Sequence, residues 1–244
     1  MLLKLLHKFL FDKILYISES VKQILLNIGV CENRCFYLTS CVDTQKLMQT
    51  QSSFREEFGI AKDALVIGTF TSLYPKKGVF DFANAAKEVL KVYPEAIIVF
   101  GGKISEGIKE AIAKEFESQS KVIFTGFRED ALNVIKAFDV YVFASHTEGL
   151  GTVLLEAMCS GVPIVVYDQP PMSVLIEHKQ RGLCAKYLDS TDLSRQILCL
   201  IKDKNAGEAY AQNALNYVKN FDDCALKSAL MELIKQTEQH LKGI

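Results

Sequence analysis

Glu148 and Glu156 stand with seven residues between them in the stretch HTEGLGTVLLEAMCSGVPIVV, His146 to Val166. Gly149 and Gly151 follow the first glutamate and open an apolar run that reads as a helix. Glycines there let backbone N–H groups approach an anion closely, and a helix start adds its dipole. The Thr152 hydroxyl can join them. A tight turn that merely uses two glycines would carry the same signature. Glu156 lies between Leu155 and Ala157, in a segment otherwise suited to a core, where a carboxylate needs a partner. With an anion at the helix start, its two oxygens suit two adjacent hydroxyls of a sugar. A solvated helix glutamate is the plain alternative. His146 sits beside this loop, either on a ligand or simply exposed.

The elements around this stretch alternate regularly. ALVIGTF, AIIVFGG, KVIFTG, VYVFAS and PIVVYD read as strands. Between them FDFANAAKEVLKVY, EGIKEAIAKEFES, EDALNVIKAF and GTVLLEAMCSG read as helices. Strands made of continuous Val, Ile and Phe are buried on both faces, and alternation with helices makes the sheet parallel. The fold class is therefore α/β, a Rossmann-like doubly wound parallel sheet with a C-terminal helical tail from Leu193 onward. Ligands of such sheets sit at the carboxyl ends of the strands. Before Ala64, KILYISES and CFYLTS flank the helix VKQILLNIG like one β-α-β fragment. Residues 1–50 are read as an appendage and 51–244 as the main domain with its helices, the sheet itself lying within about residues 60–220.

The chain has 244 residues, 49% hydrophobic and 23% charged, with a net charge of −1. That balance describes a globular protein and gives no basic field for nucleic acid. Seven cysteines without a secretory signal suggest free thiols in a reducing cytoplasm. Cys31, Cys35 and Cys41 cluster, but not at zinc spacing, so no metal is expected. In the first 13 residues Lys4, Lys8, Asp12 and Lys13 interrupt the apolar pattern too often for a signal core or a membrane span. Leu2, Leu5, Leu6, Phe9, Leu10 and Lys13 fit an amphipathic helix, which packs on a partner, lies on a membrane or, most simply, packs on a core.

HTEGLGTVLLEAMCSGVPIVV resembles the E-x7-E signature of GT-B glycosyltransferases, the large group 1 or family 4-like class. IGTFTSLYPKKG, AIIVFGG, KVIFTGF and FDVYVFAS resemble further segments of the same family in the same order, and the likeness covers about residues 14–240. It implies the C-terminal half of a GT-B fold, binding a nucleotide-diphosphate sugar without a metal or other cofactor. By resemblance Glu156 holds the ribose, Glu148 the donor sugar, and the amides of Gly149, Leu150, Gly151 and Thr152 the diphosphate. Lys77 neutralises the diphosphate as it leaves, while the backbone at Gly126 and Phe127 meets the base. Ser72 stands where the family usually has an arginine. Pro170 and Pro171 replace paired glycines near the donor, and Ser40-Cys41 an Asn-Gly.

The implied function is transfer of a hexose-type sugar to a glycan or lipid-linked acceptor, with retention, in polysaccharide biosynthesis. The alternative is a non-catalytic nucleotide-sugar-binding or scaffold protein. A dehydrogenase lacks support because no G-x-G-x-x-G follows the first strand. Only the end of the family's first domain has a counterpart, over residues 14–43. Ile14, Leu15, Ile17, Leu25 and Leu26 are therefore expected to be short of neighbours. Covering them calls for self-association or a separate N-terminal half. The expected location is cytoplasmic, peripheral to the inner face of a membrane.

Overall fold

The computed structural model describes residues 10–116 and 121–242. Strand β1 (Ile14–Tyr16), helix α1 (Glu19–Asn27) and strand β2 (Cys35–Tyr37) form the expected β-α-β fragment, with β1 and β2 parallel. Short helices α2 (Thr44–Gln49) and α3 (Phe54–Glu57) lead into the main sheet. There β3 (Val66–Phe70), α4 (Val79–Val92), β4 (Ile97–Gly101), α5 (Glu106–Ala113), β5 (Lys121–Gly126), α6 (Ala131–Ile135) and β6 (Val140–Phe143) alternate as the sequence predicts. Then come α7 (Thr152–Met158), β7 (Ile164–Tyr167), α8 (Met172–Ile176) and β8 (Leu183–Ala185). Helices α9 (Ser190–Lys202), α10 (Lys204–Tyr217) and α11 (Asp223–Lys242) make the tail. The helix expected over Leu2–Lys13 falls largely outside the described residues, and residues 10–13 are turn and irregular backbone. Among the described residues no helix is long and apolar enough to cross a membrane.

The six strands run in the order β5-β4-β3-β6-β7-β8, and all pairs are parallel. Alternate side chains divide between the two faces, as strand geometry requires. Val66, Val99, Tyr141, Phe143 and Val166 pack under α6 and α7. Ile67, Ile98, Phe100, Val142 and Val165 pack under α4, α5 and α9. The chain leaves β3 toward β4 on one side and returns to β6 on the other. A crevice therefore opens at the carboxyl ends of β3 and β6, where the direction of winding reverses.

The segment before β3 is tied to this body. Phe54 is wholly buried in the core with Val42 and Ile60. Arg55 donates to the carbonyls of Ala137 and Ala64 at 2.9 and 2.8 Å and pairs with Asp139 at 3.0 Å. The apolar residues of the β-α-β fragment behave in two ways. Ile14 and Leu25 bury themselves with Val30, so the fragment has a small core of its own. Leu15, Ile17 and Ile24 stay exposed at 45%, 39% and 60%. Of the five residues expected to be short of neighbours, Leu15 and Ile17 stay exposed and Leu26 is partly buried, while Ile14 and Leu25 are buried because α1 folds back over the two-stranded sheet.

Two glycines shape the crevice. Gly78 caps α4 at φ +67°, and a Cβ there would stand 1.8 Å from the Ala144 carbonyl oxygen. Gly151 caps α7 at φ +81°, but a Cβ there would meet only ordinary contacts at 3.7 Å or more. Alanine at either position meets the left-handed penalty of roughly 1–2 kcal/mol. Only at position 78 must the backbone also move. Urea denaturation is expected to show a loss of that size for Gly151→Ala and a clearly larger one for Gly78→Ala; equal losses would mean that β6 yields freely to α4.

Candidate active site

The residues after β3 and those after β6 meet across the crevice. A 3-10 turn, Pro75–Lys77, places Lys77 just before the Gly78 cap. Its Nζ lies 2.5 Å from Glu148 Oε1, and the two side chains are only 18% and 10% exposed. A half-buried ion pair of this kind ties both partners, since removing one leaves a charge short of water and of a counter-ion. Tyr141 lies beneath, fully buried, and its hydroxyl donates to the Phe70 carbonyl at 3.0 Å. Burial, followed by the nearby charges of Glu156 and Glu148, pushes that hydroxyl's pKa well up and keeps it a donor.

The loop between β6 and α7 is held from several sides. His146 N donates to the Lys76 carbonyl at 2.9 Å. The His146 ring Nε2 lies 2.5 Å from Asp81 Oδ2, in the first turn of α4. Tyr187 donates to the His146 carbonyl at 3.1 Å. Ser18, which caps α1, donates to the Gly149 carbonyl at 2.5 Å. Thus the β-α-β fragment also grips the glycine loop. Leu150 turns toward a largely apolar cavity of about 360 Å³, which it lines with Ile17, Tyr37 and the Pro170-Pro171 pair.

Glu156 faces elsewhere. It is half-buried, and no hydrogen bond or ion pair reaches its carboxylate from the described residues. With Thr152 it lines a second cavity, about 550 Å³ in volume, closed by Val42, Lys46, Glu129, Asp130 and Asn133. The wall of that cavity is a polar network. Arg128 grips Glu57 at 2.6 and 2.9 Å and Asp130 at 2.7 Å. Asp130 accepts from Asn133, whose own oxygen takes the Ser53 amide at 2.7 Å. The Arg128 guanidinium holds the Asp130 carboxyl far below the usual carboxylate range. The question raised by Glu156 thus has a geometric answer: among the described residues the carboxylate has no hydrogen-bond or ion-pair partner, and it lines a cavity.

The structure joins Lys77 to Glu148, turns Leu150 of the segment from Gly149 to Thr152 toward the apolar cavity, and puts Thr152 with Glu156 in another. Ser72 is exposed on the loop after β3. Gly126 ends β5 at φ +69°, and the Phe127 side chain stands 71% exposed. Neither lines the Glu156 cavity, to which the same loop sends Glu129 and Asp130 instead. The site also draws on Asp81, Tyr187 and Ser18. They act through folded contacts, and no spacing in the sequence marks them. Cys31, Cys35 and Cys41 are free thiols.

A family model described as Glycosyl transferases group 1 matches residues 50–217, more than half of the chain. The chain belongs to that family. It is 28% identical over 228 residues to the N,N'-diacetylbacillosaminyl-diphospho-undecaprenol alpha-1,3-N-acetylgalactosaminyltransferase of Campylobacter jejuni, covering 89% of this chain and 58% of that protein. It thus spans little more than half the length of this relative. The fold is that of Anabaena Alr3699/HepE, solved with UDP and glucose, at a TM-score of 0.83 and 22% identity over 92% of this chain and 63% of that one. The C-terminal domain of a Francisella tularensis glycosyl transferase group 1 family protein (LpcC) matches at TM-score 0.62 and 26% identity, covering 73% of this chain and 97% of that domain.

Burial raises the pKa of Glu156 above its ordinary 4.5. The folded chain therefore keeps this proton where the unfolded chain has lost it, and stability falls as pH rises through that window. Glu156→Gln removes the effect. Its Tm is expected at or above that of the wild type near neutral pH, with the difference closing below pH 4.5. A clearly lower Tm near neutrality would make Glu156 a structural residue.

Proposed function

We propose that this chain is the donor-binding half of a glycosyltransferase, taking a nucleotide-diphosphate sugar and passing its hexose-type sugar, with retention, to a glycan or lipid-linked acceptor. The observation that carries the reading is the meeting of Lys77 and Glu148 at the switch point of the sheet, with Glu156 on the adjoining helix lining a cavity with Thr152. In this reading Glu156 accepts from the ribose hydroxyls and the backbone near Gly126 and Phe127 receives the base. Glu148 accepts from hydroxyls of the donor sugar. As the bond from the anomeric carbon to the diphosphate breaks, negative charge grows on the phosphate oxygens. The Lys77 ammonium and the amides from Gly149 to Thr152 meet that charge where it develops, the largest electrostatic contribution open to such a site. The scheme calls on no metal. Acceptor and the walls that exclude water belong to a second half, against which Leu15, Ile17 and Ile24 are covered. Lipid-linked acceptors suit the name of the Campylobacter relative and a peripheral place at the inner face of a membrane.

A second reading, a non-catalytic nucleotide-sugar binder, draws on Ser72, where a second cation for the leaving group would be expected. Donor turnover with candidate acceptors separates the two, since a binder turns over nothing even when its other half is supplied.

Titration of UDP, GDP and ADP against the wild type and Glu156→Ala tests the site. Loss of a charged hydrogen-bond partner costs about 1.5–3 kcal/mol, so the best nucleotide is expected to bind roughly ten- to a hundredfold more weakly. Lys77→Ala is expected to weaken the diphosphate while sparing the nucleoside. Unchanged affinity in Glu156→Ala, or equal losses for both ligands in Lys77→Ala, would overturn these roles.

A further inference from the structure

Among the described residues His146 is the one histidine beside the site, and its ring is committed to Asp81 rather than to the crevice. It joins three elements at once. Its ring meets Asp81 in the first turn of α4 at 2.5 Å. Its N–H donates to the Lys76 carbonyl at 2.9 Å. Its own carbonyl accepts from Tyr187, just beyond β8, at 3.1 Å. The rings of Tyr167 and Tyr187 stand 6.5 and 6.4 Å from the imidazole, Tyr187 edge-on. The Tyr167 hydroxyl is buried near Asp81 without a hydrogen bond of good geometry. Ser145 adds a long contact to the same Lys76 carbonyl at 3.5 Å.

These contacts converge on the turn that carries Lys77. Lys76 precedes it, Gly78 follows it against the Ala144 carbonyl, and Asp81 lies one helical turn beyond. On the other strand His146 is two residues from Glu148. The pair Asp81–His146 therefore spans the same gap as the pair Lys77–Glu148, one turn deeper along α4. A lysine has four rotatable stem bonds, so a point charge aimed at one phosphate position needs its backbone fixed.

We propose that Asp81 and His146 form a positioning clamp that fixes the Lys76–Lys77 turn against the Glu148 loop, so that His146 serves the diphosphate through Lys77 and makes no contact with the donor itself. This rests on the reading of Lys77 as the phosphate contact. Asp81 and His146 are positioning residues, and Tyr187 supports His146 from the far side.

Two measurements on the full chain decide it. Hydrogen–deuterium exchange without ligand is expected to quicken over residues 74–80 in His146→Ala and in Asp81→Ala, with β4 unchanged. Unaltered exchange over 74–80 overturns the clamp, whether or not any nucleotide binds. Calorimetry with UDP, GDP and ADP, and with their nucleosides, supplies the second readout. His146→Ala is expected to weaken the best diphosphate roughly tenfold, the scale of coupling between contacting residues, with no change for its nucleoside. In a Lys77→Ala background the same substitution should have no further effect, and His146→Gln, whose amide can still reach Asp81, should restore most of the affinity. A loss that persists without Lys77, or one shared equally by the nucleoside, overturns the proposal and makes His146 a donor contact or a general support of the fold. If the wild type binds none of the three nucleotides, the donor reading falls, while the exchange experiment still decides the clamp.

Discussion

The parallel ladder between β3 and β6 is the constraint on which the rest depends. Ile67 pairs with Val140 and Gly68 with Tyr141, and neighbouring strands lie only about 4.8 Å apart. The two loops that leave these strands must therefore run side by side, whatever their sequences. Gly78 lets them come closer than side chains would allow, and the buried Tyr141 hydroxyl on the Phe70 carbonyl keeps the end of β3 from fraying toward the crevice. Lys77 and Glu148, 71 residues apart in the chain, meet because of that ladder.

Some of this was legible in the sequence and some was not, for identifiable reasons. Runs such as AIIVFGG and KVIFTG mark strands because a parallel sheet buries both faces, and the glycine after each marks the exit. The three residues of β8, with Cys184 only partly buried, are too short to show a pattern, and α8 hides behind Pro170 and Pro171. Strand order could be expected only as a class property. Within the site, Glu148 and Glu156 stood out by type and spacing. That Glu148 meets Lys77 while Glu156 lines a cavity with Thr152 follows from Glu148 preceding the Gly151 cap and Glu156 riding on α7. The ties from Ser18, Asp81 and Tyr187 come from tertiary contact alone, so residue type gave no hint of them.

Local consistency fails in this region and holds elsewhere. The strands carry apolar residues at buried positions, Arg55 and Arg128 find carboxylates, and α1, α2, α9 and α10 have side-chain caps. Near the crevice, by contrast, Glu156 is half-buried with no ion pair from the described residues, and the Tyr167 hydroxyl is buried near Asp81 without a hydrogen bond of good geometry. Exceptions to good folding chemistry gather where function is expected, since stability alone would have replaced them.

In the proposed donor-binding role, the pairing of Lys77 with Glu148 also sets terms for selectivity. Because the lysine is bound to a carboxylate of the protein, an incoming anion must exchange with an internal counter-ion. A bare phosphate or diphosphate wins the ammonium but strands Glu148 in a poorly hydrated place. A ligand that brings hydroxyl groups along with its anion satisfies both partners, the phosphate taking Lys77 and the hydroxyls taking Glu148. In the proposed donor-binding role, this one ion pair would favour sugar and diphosphate presented together over either presented alone.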